Sequence, residues 1–293
     1  MRRAYLLLIA IFVGWGTIPV VLSHIPLAAP AQVFARVWLA AAGLGLVIAV
    51  RARRGLDAER PRLASYRPGL VAFAAAVLAV HWVAEFSAYK HGPAGTVILI
   101  VYLAPVGIAL VGAKVLGEKL TARIIAALAL ALAGTALVAR PHGGNGAAVA
   151  WAGLAAVTFV ALVVASKPLA EAYGGMRTSF MEMTGAGMLL VPLAVQAHWA
   201  LPASAWAWLV LLGLGHTALL TALYLACLAE VTATSVGILG YIEPVSVLFF
   251  GWLLLSQRPG PATIIGGGLI VAGGALVVSD AVPVEEVSLV VPR

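Results

Sequence analysis

Ten long apolar stretches restrict the folds that this sequence can adopt. A helix that crosses about 30 Å of hydrocarbon needs roughly 20 mostly apolar residues. Stretches of that length cover residues 4–23, 30–50, 69–89, 94–113, 122–139, 148–166, 178–197, 204–226, 232–253 and 262–279. Strands are disfavoured, because the runs are long and lack the alternation that a β-barrel requires. Charged residues make up 10% of the chain, against about 25% in soluble domains. The sequence therefore predicts an all-α integral membrane protein with ten transmembrane helices.

The Lys and Arg residues are distributed unevenly between alternate loops. With the N-terminus in the cytoplasm, 14 of them fall on the cytoplasmic side, and Lys90, Arg140 and Arg258 fall outside. Cytoplasmic loops carry an excess of positive charge in membrane proteins, so we expect both termini to be cytoplasmic and the protein to lie in the inner (plasma) membrane. The net charge of +7 then reflects topology, and we expect no nucleic-acid partner.

Residues 88–140 return, weakly and without a gap, at residues 227–279, with 14 of 53 positions identical. The identities include four pairs of residues that shape or punctuate helices: Tyr102 and Tyr241, Pro105 and Pro244, Gly112 and Gly251, and Gly134 and Gly273. Five helices in each half make the second half enter the membrane from the opposite side, so we predict inverted repeats. The first repeat covers 1–140, the second covers 147–280, and 281–293 is a cytoplasmic tail. We expect Tyr102 and Tyr241 to face each other across the midplane.

The segments LAPVGIALVGAKVLGEKLTARIIAALALALAGTALVAR and YIEPVSVLFFGWLLLSQRPGPATIIGGGLIVAGGALVV share a mid-span proline, a short turn and a glycine-ending helix. This pattern resembles the EamA repeat of the drug/metabolite transporter superfamily, and Gly14-Trp15-Gly16 and Arg36 fit it too. The resemblance implies a central cavity lined by helices one to four and six to nine, with helices five and ten to the side. It also implies small metabolites as substrates, often amino acids moved outward without ATP. One departure is that Gln257 replaces the turn acid, which is Glu118 in the first copy.

Ionisable side chains within a span are costly, so they usually face a cavity or a partner. The candidates for binding substrate or protons are five ionisable residues, Glu85, Glu243, His81, His216 and Arg36, and four aromatic residues, Tyr102, Tyr241, Trp15 and Trp82.

Each candidate has a functional and a structural interpretation. Glu85 and Glu243 can carry protons or hold a substrate ammonium group, and the two histidines can relay protons or pack. Arg36 can pair with Glu85 or extend outward to the membrane surface, and the aromatic residues can line the cavity or pack. We place Glu182 at the membrane interface. We expect Glu118 to lie in a solvated turn, with a salt-bridged gate as the alternative.

These observations predict a secondary-active transporter that exports amino acids or related small metabolites by alternating access, with proton coupling allowed by the buried carboxylates. The alternatives are an uptake permease for a sugar or other metabolite, and a structural membrane subunit without transport. The sequence lacks HExxH, GxSxG and Cys/His clusters, so we predict neither an enzyme nor a cofactor or metal. The expected partners are a small-molecule substrate and membrane lipids, and the glycine-rich tenth helix permits a homodimer.

Overall fold

The computed structural model describes residues 2–56, 67–92, 97, 100–139, 146–255 and 260–280, and their regular structure is helical. The helices in chain order are α1 (Arg2–Trp15), α2 (Ile18–Ser23), α3 (Ala29–Arg53), α4 (Pro68–His91), α5 (Ala104–Val115), α6 (Ala122–Ala139), α7 (Gly146–Tyr173), α8 (Gly175–Ala194), α9 (Ala203–Val210), the π-helical α10 (Leu211–Leu219), α11 (Leu220–Glu230), α12 (Ala233–Gly240), α13 (Ile242–Leu255) and α14 (Pro261–Asp280).

Six helical segments in the described ranges are long and apolar enough to cross a membrane. They are Arg3–Ser23, Ala29–Arg53, Pro68–His91, Gly146–Tyr173, Ala203–Glu230 and Ala233–Leu254. Three shorter apolar helices lie at Ala104–Val115, Ala122–Leu137 and Ile264–Val278. The prediction of an all-α multi-pass membrane protein is confirmed, whereas the count of ten and the side on which the termini lie stay predictions.

Contacts between distant segments distinguish the two ends of the bundle. At one end the Arg67 N–H donates to the Tyr173 hydroxyl at 2.8 Å, and Tyr5 donates to Ser235 at 3.5 Å. At the other end Lys90 Nζ donates to the carbonyl of Leu27 at 3.5 Å. We call these the inner and outer ends, after the predicted orientation.

Two of the spans are broken near their middles. The first breaks between α1 and α2, where Pro19 lies in the first turn of α2. A side chain at Gly16 would collide with Ser246 on α13, so only glycine allows this close approach. The other break lies at Tyr241, between α12 and α13; Pro244 follows it, and proline cannot donate a hydrogen bond to the preceding turn.

Helices α6 and α14 pack closely on each other through small residues. A Cβ atom at Gly134 would lie 2.5 Å from the carbonyl oxygen of Gly266, and one at Gly273 would lie 2.8 Å from that of Ala127. Glycine permits this backbone approach between helices in a membrane. Neither helix contributes a described residue to the central cavity, which agrees with the lateral position that the resemblance implies for the fifth and tenth helices.

Candidate functional site

A cavity of about 560 Å³ lies at the centre of the bundle. This is within the usual range for sites that bind small molecules. Among the described residues, six ionisable side chains other than tyrosine line it: Arg36, His81, Glu85, Lys90, Glu182 and Glu243. The cavity therefore holds three carboxylates and two permanent cations in an otherwise mostly apolar wall.

Arg36 on α3 is 3% exposed and its guanidinium group is fixed from two directions. Nε donates to Thr217 Oγ1 at 3.0 Å, and Cζ lies 4.0 Å from the centroid of the Trp82 ring, a cation–π geometry. Arg36 makes no ion pair with Glu85 within 4 Å in the described part of the chain. It is buried and so does not extend to the surface. Arg36 and Glu85 line the same cavity, and their pairing stays a prediction.

His81 and Glu85 lie one turn apart on α4. The His81 ring stacks on Phe159 with centroids 5.1 Å apart, and Nδ1 donates to the Ala155 carbonyl at 2.9 Å. That bond places the proton of the neutral ring on Nδ1, which leaves Nε2 as the basic nitrogen. Nε2 lies 3.9 Å from Glu85 Oε2, so the two groups are neighbours and are too far apart for a direct hydrogen bond.

Glu243 lies in the first turn of α13, directly after the break at Tyr241. Its side chain lines the cavity together with Tyr102. Tyr241 donates to the backbone carbonyl of Tyr102 at 2.7 Å, and the two rings lie 5.8 Å apart. The two tyrosines that the repeat pairs therefore contact each other, as the sequence predicted, although Tyr241 lies behind the cavity wall.

His216 also lies behind the wall, in the π-helical segment α10. Its Nε2 is 2.7 Å from Thr17 Oγ1, and Trp15 Nε1 donates to its backbone carbonyl at 3.0 Å. Through both contacts, the residues around the break between α1 and α2 are held against α10. Short π-helical segments often mark functional sites, and here one positions Trp15, which lines the cavity.

The placement of Glu182 at the membrane interface is wrong. The side chain is 2% exposed, lines the cavity and accepts a hydrogen bond from Ser166 at 2.6 Å. Its helix begins at Gly175, three residues before the predicted start of the span. Seven residues correspond to about 10 Å of helix axis, so a correct helix start would have located Glu182 well inside the bundle.

Glu118 does not lie in a solvated turn, and it makes no salt bridge to any other residue in the part of the chain that the structure describes. Its Oε1 accepts from the Ala233 N–H at 2.6 Å, and Oε2 accepts from the Thr234 N–H at 3.0 Å and the Thr234 hydroxyl at 2.7 Å. The carboxylate therefore caps the N-terminus of α12, where the first backbone N–H groups of a helix lack partners and favour negative charge. Gln257, its counterpart in the repeat, lies outside the described residues.

Apolar spanning helices around a cavity with buried charges are typical of a membrane transport protein. The model of the EamA-like transporter family matches residues 2–140 and 146–279, and the chain belongs to this family. Membership implies small-molecule substrates and contact with membrane lipids.

Two relatives are named as exporters. The chain is 32% identical to the "Probable terminal-alkyne amino-acid exporter" of Streptantibioticus cattleyicolor, over 62% of this chain and 63% of that protein. It is 28% identical to the "Pseudopaline exporter CntI" of Pseudomonas aeruginosa, over 66% of this chain and 69% of that protein. The match thus spans less than two thirds of the first relative. A solved crystal structure shares the fold, with a TM-score of 0.76 at 22% identity over 94% of this chain and 97% of that one.

Proposed function

We propose that the protein is a secondary-active exporter of amino acids or related small zwitterionic metabolites in the plasma membrane. The observation that carries this proposal is the presence of Arg36, Glu85 and Glu243 in the lining of one cavity. A guanidinium group binds a carboxylate, and carboxylates bind an ammonium group. The names of the two exporter relatives support the direction of transport and the substrate class.

Arg36 is the group that we assign to the substrate carboxylate. Thr217 occupies Nε and Trp82 covers one face of the guanidinium plane, which fixes its orientation. The two terminal nitrogens carry four further N–H donors in a planar fork that suits a carboxylate. Because the orientation is set before the substrate arrives, little side-chain entropy is lost on binding.

Glu85 and Glu243 are the groups that we assign to the substrate ammonium. Glu85 lies on α4 in the first half and Glu243 on α13 in the second, so a bound ammonium would join the two halves. When the cavity empties, one carboxylate takes up a proton, because unpaired buried charge is costly. This alternation between proton and substrate would couple export to the proton gradient.

Alternating access is supported by where the two halves are joined. At the inner end Glu118 binds the start of α12, and Tyr5 binds Ser235. The cavity lining, by contrast, reaches Gln32 and Lys90 near the outer end. If the orientation is as predicted, this arrangement supports a state closed towards the cytoplasm, and loading from the cytoplasm would require the inner contacts to break.

The test is transport by purified protein in proteoliposomes loaded with radiolabelled amino acids. We expect protein-dependent efflux that an inward proton gradient accelerates. Arg36→Gln, Glu85→Gln and Glu243→Gln should each reduce the flux at least tenfold, since a hydrogen bond to a charged group contributes about 1.5–3 kcal/mol. Glu171→Gln is the matched control, because Glu171 is exposed and pairs with Lys167 at 3.1 Å.

Three outcomes would contradict the proposal. Flux of sugars without flux of amino acids would favour the permease alternative, and flux that runs only inward would favour uptake. Unchanged flux in all three cavity variants would mean that these side chains are structural.

A further inference from the structure

We propose that the cavity contains a second polar subsite, in its inner half, which binds a second ammonium group on the substrate. The preferred substrates would then be diamino acids of about the length of ornithine or lysine. This inference rests on the proposed function, because it takes the Arg36 end of the cavity as the site of the α-carboxylate. The subsite consists of Glu182, Ser166, Thr221 and Tyr224.

The four side chains converge from three helices. Glu182 on α8 and Ser166 on α7 are joined by their 2.6 Å hydrogen bond, and Thr221 and Tyr224 share one face of α11. All four line the cavity and all are more than nine-tenths buried. The cluster therefore presents one carboxylate and three hydroxyl groups to the interior.

Two of the hydroxyl groups lack a hydrogen-bond partner among the residues that the structure describes. Thr221 Oγ1 and Tyr224 Oη are buried and make no hydrogen bond to any described residue. Leaving such a group unpaired in a protein interior is unfavourable, so two of them in the same cavity lining as one buried carboxylate indicate a position for a polar ligand. A ligand ammonium has three donors, enough for the Glu182 carboxylate and both hydroxyl oxygens.

Helix geometry gives the distance from this subsite to Arg36. Thr217, which binds Arg36, precedes Thr221 by four residues and Tyr224 by seven, or about 6 and 10 Å along the axis. On α7, Phe159, which stacks on His81, precedes Ser166, which binds Glu182, by seven residues, so His81 and Glu182 contact this helix about 10 Å apart. The carboxyl carbon and terminal nitrogen of extended lysine are joined by six bonds of about 1.5 Å and so lie about 7 Å apart.

The charges in the cavity favour the same substrate. Three carboxylates face two cations, and Lys90 lies at the outer end, where it donates to the Leu27 carbonyl. A neutral zwitterion adds no net charge and leaves one buried carboxylate without a counterion, which is unfavourable. A diamino acid adds one net positive charge, so that the charges of the substrate and of the five charged side chains in the cavity sum to zero.

The experiment compares lysine with norleucine, which lacks only the terminal amine, in proteoliposomes at several pH values. The wild-type kcat/KM should favour lysine about tenfold or more. Glu182→Gln should remove most of that preference while leaving norleucine transport nearly unchanged, and Thr221→Val should reduce it in the same direction. Glu171→Gln should keep it intact.

Several results would overturn this inference. If the wild type carries norleucine as well as lysine, the second subsite does not exist and the proposed function stands. If Glu182→Gln changes both substrates equally or only moves the pH profile, Glu182 is a proton site. If no amino acid is carried, the proposed function fails as well. Should Glu182→Gln fail to fold, the wild-type preference and Thr221→Val decide the question.

Discussion

Replacing Glu118 by Gln tests whether this carboxylate holds the inner end of the bundle closed. Its two oxygens accept three hydrogen bonds from Ala233 and Thr234 at the start of α12. Glutamine keeps the size and can accept through one oxygen, but its NH₂ group would face donors, and the negative charge at the helix N-terminus is lost. Charge-assisted bonds contribute about 1.5–3 kcal/mol each, and the helix dipole adds about 0.5 kcal/mol. Because Glu118 is half-buried, we expect a net loss of about 2 kcal/mol.

That loss should appear as opening of the inner end. A change of about 2 kcal/mol shifts a two-state equilibrium roughly 30-fold. Cys227 is the single cysteine of the chain, is 3% exposed and packs in the same cluster as Ala233, so it is a natural reporter. The rate at which a membrane-permeant maleimide labels Cys227 should rise about 30-fold in Glu118→Gln.

The control is Lys119→Gln, which removes an exposed charge from the same turn and should leave the labelling rate unchanged. Equal labelling rates in Glu118→Gln and the wild type would refute the reasoning, because the three hydrogen bonds would then contribute nothing to closure. If the labelling rate rose by the same factor in Lys119→Gln, the effect would belong to the turn as a whole and not to the hydrogen bonds of Glu118.

Two further predictions concern the cavity and the helix break. Arg36→Lys keeps the positive charge but loses the planar contact with Trp82 and the forked N–H donors. The KM for amino acids in the liposome assay should therefore rise about tenfold, with kcat less affected. An unchanged KM would contradict our assignment of Arg36 to the substrate carboxylate. Gly16→Ala forces a Cβ into Ser246 and should destabilise the protein by about 1–3 kcal/mol, seen as a lower melting temperature in detergent. Gly153→Ala, where nothing lies within 4 Å, should be neutral or stabilising.

The sequence predicted the membrane class and several of the charged and aromatic residues that line the cavity, because both depend on local composition. Long apolar runs have few alternatives to spanning helices, and a charge inside such a run must face a cavity or a partner. Glu85, Glu243 and Arg36 therefore line the cavity as expected. The contact between Tyr102 and Tyr241 followed from their equivalent positions in the repeat.

The positions that the sequence did not predict depend on where helices begin and on contacts between distant segments of the chain. The position of Glu182 was predicted wrongly because the predicted span began at residue 178, whereas α8 begins at Gly175. The glycines at 174 and 175 gave no signal for the start of the helix. Glu118 was misjudged because its partner, the start of α12, lies more than 100 residues away in the chain. For Arg36 the sequence offered Glu85 or the membrane surface, and it did not predict the contacts with Thr217 and Trp82, because charge patterns do not identify neutral partners.

If α3 and α8 are equivalent helices of the two predicted repeats, the two ends of the proposed substrate site occupy matching positions in the two halves. Arg36 is seven residues into α3, and Glu182 is seven residues into α8. If the halves are inverted as predicted, this position lies towards the outer end in one half and towards the inner end in the other. Opposite charges at matching positions would make the cavity polar along the membrane normal, so a cationic amino acid would bind with its carboxylate towards the outer end in every cycle. A duplicated scaffold gains a defined substrate orientation in this way, because only the residues that break its symmetry distinguish one end from the other.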